Sequence, residues 1–379
     1  VSDSYDFIVV GGGIAGVSAG YFLAQHGRLL LLERESALAY HTTGRSAAIY
    51  TQAYGNAVVR VLTVAGHDFF TTPPEGFSDH ALLGPRGALF IGRDDQLDAL
   101  DRTEEEGRQF VDSVRRVDVN EARAILPVLR PDYVAGAVLE PDAMDIDVHA
   151  LHQGFVRGIR ARGGAIRTEA EVQALDRAGA DWSVETPGGT WTAPVVVNAA
   201  GAWCDELAAL ASLDPIGLVP KRRTAVVFDA PSGVDVDAWP LTIDVDEDFY
   251  FKPEAGKVMA SPADETPMPP CDVQPEELDI AIAIDRIQTA TTMTIDRVSH
   301  HWAGLRSFVG DKTPVAGFDP AAPGFFWLAG QGGYGIQTAP ALGRLTADLV
   351  RGADVPAEIG DFGVTAADLA PARAGLRTT

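Results

Sequence analysis

Six residues near the N-terminus, Gly11-Gly12-Gly13-Ile14-Ala15-Gly16, constrain the fold more than any other part of the chain. They follow a short apolar run, Tyr5–Val10, and open a segment with apolar residues at Ile14, Val17, Tyr21, Phe22 and Leu23. The run suits a buried parallel strand and the segment suits a helix, so the glycines stand at a strand-to-helix turn. In the pattern G-x-G-x-x-G the first glycine makes the tight turn. The second lets backbone approach a pyrophosphate, and the third lets the helix pack on the strand. The helix start then offers free N–H groups to phosphates. Arg28–Glu33 reads as a second strand, and Glu33 ends it about twenty positions beyond Gly11, where a carboxylate can take the ribose hydroxyls of an adenosine. Gly27 is expected as the C-cap of the intervening helix, which completes one βαβ unit.

At 379 residues the chain exceeds one comfortable core, so two domains are expected. Its net charge of −23 argues against a partner that must be neutralised, such as nucleic acid or an anionic membrane. Cys204 and Cys271 lie far apart and form neither a disulfide framework nor a metal-ligand spacing, which points to a reducing, cytoplasmic setting and to no metal. The longest apolar runs, such as Leu29–Leu32, are of strand length, so no transmembrane segment is expected, and the N-terminus lacks the charged region of a signal peptide.

Further along, His41–Tyr54 is too polar for a strand and too rich in small residues for core. Residues 100–127 read as helical with one charged face, and Ala165–Ala193 as a β-meander with breakers at Gly179 and Pro187-Gly188-Gly189. Ala193–Gly201 is an apolar strand running into a helix from about Asp205. Residues 219–300 read as short alternating strands with Pro-rich loops. Gly324–Ala329 is a strand, and the glycine loop Gly330–Gly335 precedes a helix over about Thr338–Arg351. A helix start aimed at the pyrimidine edge of a flavin would stabilise the charge that reduction places there.

Gly11–Gly16, Glu33, Gly44-Arg45-Ser46-Ala47-Ala48, Val197–Trp203 and Gly330–Gln337 together resemble the D-amino-acid oxidase superfamily of flavoproteins. Leu151–Gly154, Pro220–Arg223 and Trp302–Phe308 make the likeness greatest to the bacterial D-arginine dehydrogenases within it. The resemblance implies an α/β, overall α+β, architecture in which a Rossmann-like FAD-binding domain is interleaved with a substrate domain on a mixed, largely antiparallel sheet. The FAD domain would comprise 1–55, 145–217 and 301–379, and the substrate domain 56–144 and 218–300. The implied cofactor is FAD, held without a covalent bond, since no cysteine stands in the Arg306–Phe308 region. Its implied contacts are Gly11, Gly13, Ile14, Ala15, Gly16, Glu33, Arg34, Gly44, Arg45, Ser46, Ala47, Ala48, Val172, Gly201, Trp203, Gly332, Gly333, Tyr334, Gly335, Ile336 and Gln337.

The same resemblance implies a small-molecule amino acid or amine as substrate. Arg223 and Arg306 would take its carboxylate, Tyr54 and Tyr250 would close the pocket, and Gly333 and Gln337 would border the amine. The implied reaction is hydride transfer from the α-carbon to flavin N5, leaving an imine that water converts to a 2-keto acid and ammonia. Ala88 and Ile49 stand where the D-arginine enzymes have a glutamate and a histidine, so neutral or apolar D-amino acids are expected as substrates. None of Lys221, Lys252, Lys257 and Lys312 is clearly placed to assist oxygen reduction, which favours a quinone or other acceptor over an oxidase reaction. A secondary-amine or N-methyl-amino-acid oxidase of the sarcosine type is the alternative, and a non-catalytic flavoprotein is a third reading.

Overall fold

The structure, a computed structural model, describes residues 3–376, so the ends of the first and last expected segments, 1–2 and 377–379, lie outside the described residues. Phe7–Val10 and Leu29–Leu32 are fully buried four-residue strands without alternation, as expected of strands covered on both faces. They form the middle of a six-stranded sheet in the order Ala165–Arg167, Leu29–Leu32, Phe7–Val10, Val195–Asn198, Phe325–Ala329, Val315–Phe318. All neighbours pair in parallel except the last two, which are antiparallel. The strands are contributed by distant stretches of chain. The helix Ile14–Leu23 lies on one face against the helices Gly335–Val350 and Val148–Ala161. Val9, Val17, Phe155, Phe326 and Leu345 fill that core, and Ile8, Leu30, Val196 and Trp327 fill the core of the opposite face.

Among the described residues a second sheet has nine strands and mixed direction. Its backbone is a pair of 11-residue antiparallel strands, Val219–Asp229 and Val298–Phe308. Lys257–Ser261, Tyr250–Glu254, Leu241–Asp244, Ala88–Gly92, Gly136–Glu140 and Arg115–Val117 extend it, with one parallel pair, Leu241–Asp244 on Ala88–Gly92. The expected α/β class with a mixed, largely antiparallel second sheet is therefore the observed one.

Several local expectations are corrected. Residues 100–127 are not one helix: helices Leu97–Arg108 and Val119–Ile125 flank the strand Arg115–Val117. Ile49–Tyr50 forms a two-residue strand inside the supposed loop His41–Tyr54. Gly27 is not the C-cap, which is Ala24. A Cβ at Gly27 would meet Asp6 Oδ2 at 2.6 Å, so its glycine serves close packing. Residues 219–300 contain the 14-residue helix Glu277–Ala290. Ile280, Ile282 and Ile284 alternate as in a strand, but the buried positions Asp279, Ala283, Ile287 and Ala290 recur every three or four residues.

Candidate active site

The C-terminal ends of the parallel strands open onto a chain of three cavities that share walls. The first, of about 340 Å³, starts where Glu33, Arg34, Val172, Gly201 and Trp203 meet Gly11 and Gly13. Buried Glu33 accepts hydrogen bonds from Gly12 N at 2.7 Å and Glu35 N at 2.9 Å, which fixes its carboxylate at the mouth of the glycine turn. The Arg34 guanidinium lies 5.0 Å over the Trp203 ring, and the His41 ring is 4.7 Å from the same indole. Trp203 thus holds both groups at the rim of this cavity, with the His41 ring tilted 47° to the indole. Gly11 has φ +115, and a Cβ there would stand 2.2 Å from Ala199 O. Only glycine lets the turn close against the neighbouring strand. Gly16 and Gly44 do not line a cavity; both lie in close backbone packing behind the turn.

The second cavity, about 130 Å³, continues past Ile14, Ala15, Arg45, Ser46 and Ala47 to Arg223, Tyr250, Arg306, Gly332, Gly333, Gly335 and Ile336. Thr43 Oγ1 accepts from Ile14 N at 3.0 Å and so sits where the first helix presents its N-terminus. The Arg45 guanidinium points elsewhere, donating to Ala303 O at 3.0 Å and pairing with Asp272 at 2.5 Å. Its tie to the strand Val298–Phe308, reinforced by Trp302 Nε1 donating to Arg45 O at 3.0 Å, holds the small-residue loop in place. Gln331 Nε2 is buried in this cavity without a partner.

The two arginines come together through strand register. Arg223 is paired with Gly304 and Lys221 with Arg306, so Arg223 and Arg306 are diagonal neighbours on one face. Arg223 is 7% exposed, and its Nε and Nη1 are buried without partners, while Nη2 lies 3.3 Å from Glu265 Oε1. Burial first and then Arg306 push the Arg223 guanidinium down from its ordinary value. Burial opposes the charge of Arg306 too, but Tyr250, Tyr54 and Glu247 outweigh it and hold Arg306 up. Arg306 Nη2 donates to Tyr250 Oη at 3.4 Å. A Cβ at Gly333 would stand 2.9 Å from Arg306 Nη1, so glycine there lets the guanidinium lie against the start of the helix Gly335–Val350. Buried donors without acceptors are costly, and this arrangement is relieved by an anion.

The third cavity, about 60 Å³, is lined by Ser46, Ala47, Ala48, Ile49, Tyr54, Leu241, Ile243, Glu247, Tyr250, Arg306, Gly333, Ile336 and Gln337. Tyr54 donates to Glu247 Oε2 at 2.8 Å, and burial, then Glu247, push its hydroxyl well above the usual phenol range, so it stays protonated. Tyr334 lines none of these three cavities but packs edge-on against Tyr54 at 5.3 Å. Gln337 Nε2 donates to Thr63 Oγ1 at 3.0 Å. Ala88 is fully buried behind the pocket, whereas Ile49 lines it. Glu247, on the turn after Leu241–Asp244, places a carboxylate in this pocket, at a position the sequence reading did not single out. Sequence reasoning also missed Thr43, His152, Glu265 and Gln331. Thr43, His152 and Gln331 stand in or beside stretches that were singled out, whereas Glu265 carried no local signal.

The glycine turn, fixed Glu33, the joined cavities and the orphaned donors of Gln331 and Arg223 fit a dinucleotide whose far end is a planar ring beside the arginine pair. Comparison with known proteins agrees. The chain is 25% identical to glycine oxidase of Geobacillus kaustophilus (strain HTA426), over 95% of this chain and 97% of that protein. It is 24% identical to monomeric sarcosine oxidase of Bacillus sp. (strain B-0618), over 66% of this chain and 65% of the other. The crystal structure of the G. kaustophilus glycine oxidase superposes with a TM-score of 0.82 at 22% identity, covering 96% of this chain and 99% of that one. These names are of the glycine and sarcosine type, and they do not carry the finer likeness to D-arginine dehydrogenases expected from the sequence. The model of the FAD-dependent oxidoreductase family, DAO, matches residues 6–349, and the chain belongs to that family.

Proposed function

We propose that this FAD-dependent oxidoreductase oxidises the C–N bond of a small amino acid, glycine or an N-alkyl glycine, rather than a bulky D-amino acid. The observation that carries the reading is the pair Arg223 and Arg306, which both line the second cavity: Arg223 keeps two buried N–H groups without partners, and Arg306 also lines the adjoining cavity of about 60 Å³. A guanidinium fork is the geometry that fixes a carboxylate, and a small apolar wall of Ile49, Leu241 and Ile243 leaves little room for a side chain. The glycine- and sarcosine-type names of the relatives support the same choice.

When bound, FAD supplies the hydride acceptor. The protein orients the substrate. Arg223 and Arg306 hold the acid, Tyr250 braces Arg306, and the protonated Tyr54 and its partner Glu247 close the pocket opposite Gly333 and Gln337. With the acid fixed, the carbon bearing nitrogen is held in one attitude, which is worth several kcal/mol of barrier in well-oriented systems. Loss of hydride from that carbon leaves a C=N bond, and water splits it into a carbonyl compound and an amine.

The test is anaerobic bleaching of the yellow protein, which is expected to hold FAD without a covalent bond, against glycine, sarcosine, D-alanine, D-leucine and D-arginine. Turnover is then followed with dioxygen and with a quinone as alternative acceptors. Fastest bleaching by glycine or sarcosine is expected, and a higher kcat/KM for D-leucine would return the reading to D-amino acids with apolar side chains. Arg223→Leu and Arg306→Leu should each raise KM by two orders of magnitude or so, the loss expected when one of two charge-assisted partners is removed.

A further inference from the structure

One acid beside the fork, Glu265, has no part in the reaction described above. Glu265 touches three cations: Lys221 Nζ at 2.7 Å, Arg223 Nη2 at 3.3 Å and Lys312 Nζ at 3.6 Å. Lys221 and Arg223 are two residues apart on one strand, and Lys221 is the register partner of Arg306, so these three cations share one face. Lys221 and Lys312 each lie 5.4 Å over the Phe308 ring. The Nη2 nitrogen of Arg223 is shared by both ways in which a guanidinium can take a carboxylate with two bonds, side-on with Nε or end-on with Nη1. Glu265 stands on that nitrogen, and the other two are the ones left without partners.

We propose that Glu265 is an internal acid that competes with the substrate carboxylate for Arg223 and so sets the affinity of the site for acid-bearing ligands. The inference rests on the reading of Arg223 and Arg306 as the carboxylate fork. The contact Glu265 makes with Arg223 is the longer one, and the contact with Lys221 is the shorter. An incoming carboxylate can therefore take Arg223 while Glu265 keeps its lysine, so neither charge is left unpaired, which is the costly outcome for half-buried ions. Burial pushes the Glu265 carboxyl up, but Lys221, Lys312 and Arg223 outweigh it and hold it below its ordinary value, so the competitor stays charged through the neutral range. Glu265 acts through Arg223 and is a positioning residue.

The FAD-loaded protein is titrated with propionate, an acid without an amine, and binding is read from the perturbation of the flavin absorbance. Glu265→Gln is expected to bind propionate roughly tenfold tighter than wild type, with the effect on turnover falling on KM rather than kcat. The gain should persist at ~0.5 M salt, because a contact is removed and not a long-range field. Lys312→Gln, which leaves Glu265 freer to press on Arg223, should weaken binding. Should Glu265→Gln fold poorly, Glu265→Ala with the same titration serves instead. Unchanged or weaker binding in the Glu265 variants, or a gain that vanishes in salt, overturns the competition. If propionate binds wild type and Arg223→Leu alike, the fork reading itself has failed, and the inference falls with it.

Discussion

His152, buried on the helix Val148–Ala161, bonds through Nε2 to Gly12 O at 3.0 Å, in the middle of the glycine turn. That carbonyl also accepts from Ala39 N at 3.2 Å, and the neutral ring supplies its second donor. Burial, the largest cause, holds the imidazole below its ordinary value of 6.5. The unfolded chain therefore takes up the proton first, so this contribution to stability is complete above pH 6.5 and is lost as pH falls toward the folded-state value. Melting temperature at fixed FAD should drop between pH 7 and 5, and His152→Gln, which keeps a donor but does not titrate, should flatten part of that drop. Equal slopes for the two proteins would exclude the role. At this scale, legibility followed sequence distance. The glycines and Glu33 could be read because their partners are local or at a fixed spacing. His152 finds Gly12 across 140 positions, Tyr54 finds Glu247 across 193, and Arg223 finds Glu265 across 42, and nothing in a single sequence links such pairs.

The helix Gly335–Val350 ties site to scaffold. Its first turn, Gly335 and Ile336, lines the second cavity, and its middle crosses the helix Ile14–Leu23, where a Cβ at Gly343 would meet Ser18 at 2.8 Å. The two helices that start at the cofactor cavity are thus packed with no room between them. Gly343→Leu should push them apart and cost about 1–3 kcal/mol or more, the usual price of overpacking. It should also weaken FAD retention, which a denaturant melt and the flavin content of the purified protein would show together. A variant as stable and as yellow as wild type would mean the crossing tolerates strain. Among elements, the βαβ unit and the last helix were legible from strand-length apolar runs punctuated by glycine. The helix Glu277–Ala290 was not, because its isoleucines alternate and its true buried stripe includes an acid, Asp279, spent on Arg222 at 2.8 Å.

On the scale of the molecule, the first two cavities, proposed for the cofactor, are walled by both sheets: Glu33 and Ala199 follow strands of the six-stranded one, and Arg223, Tyr250 and Leu305 belong to the nine-stranded one. A ligand filling them adds contacts to both that the unfolded chain lacks. Free FAD at about 100 times its Kd should stabilise the fold by about 2.7 kcal/mol. Stripping FAD should accordingly lower Tm by several degrees, and restoring it should raise Tm in a concentration-dependent way. A Tm that ignores FAD would show that the cavities are closed without it. The order of strands has a consequence for biosynthesis as well. Phe7–Val10 leaves the ribosome first, yet its sheet partner Val195–Asn198 follows by nearly two hundred residues, and Val195–Asn198 waits in turn for Phe325–Ala329. The cavity beside the arginine pair takes Gln331, Gly332, Gly333, Gly335 and Ile336 for its wall, so it is complete only after they emerge, and nascent chains stalled before residue 325 should be colourless.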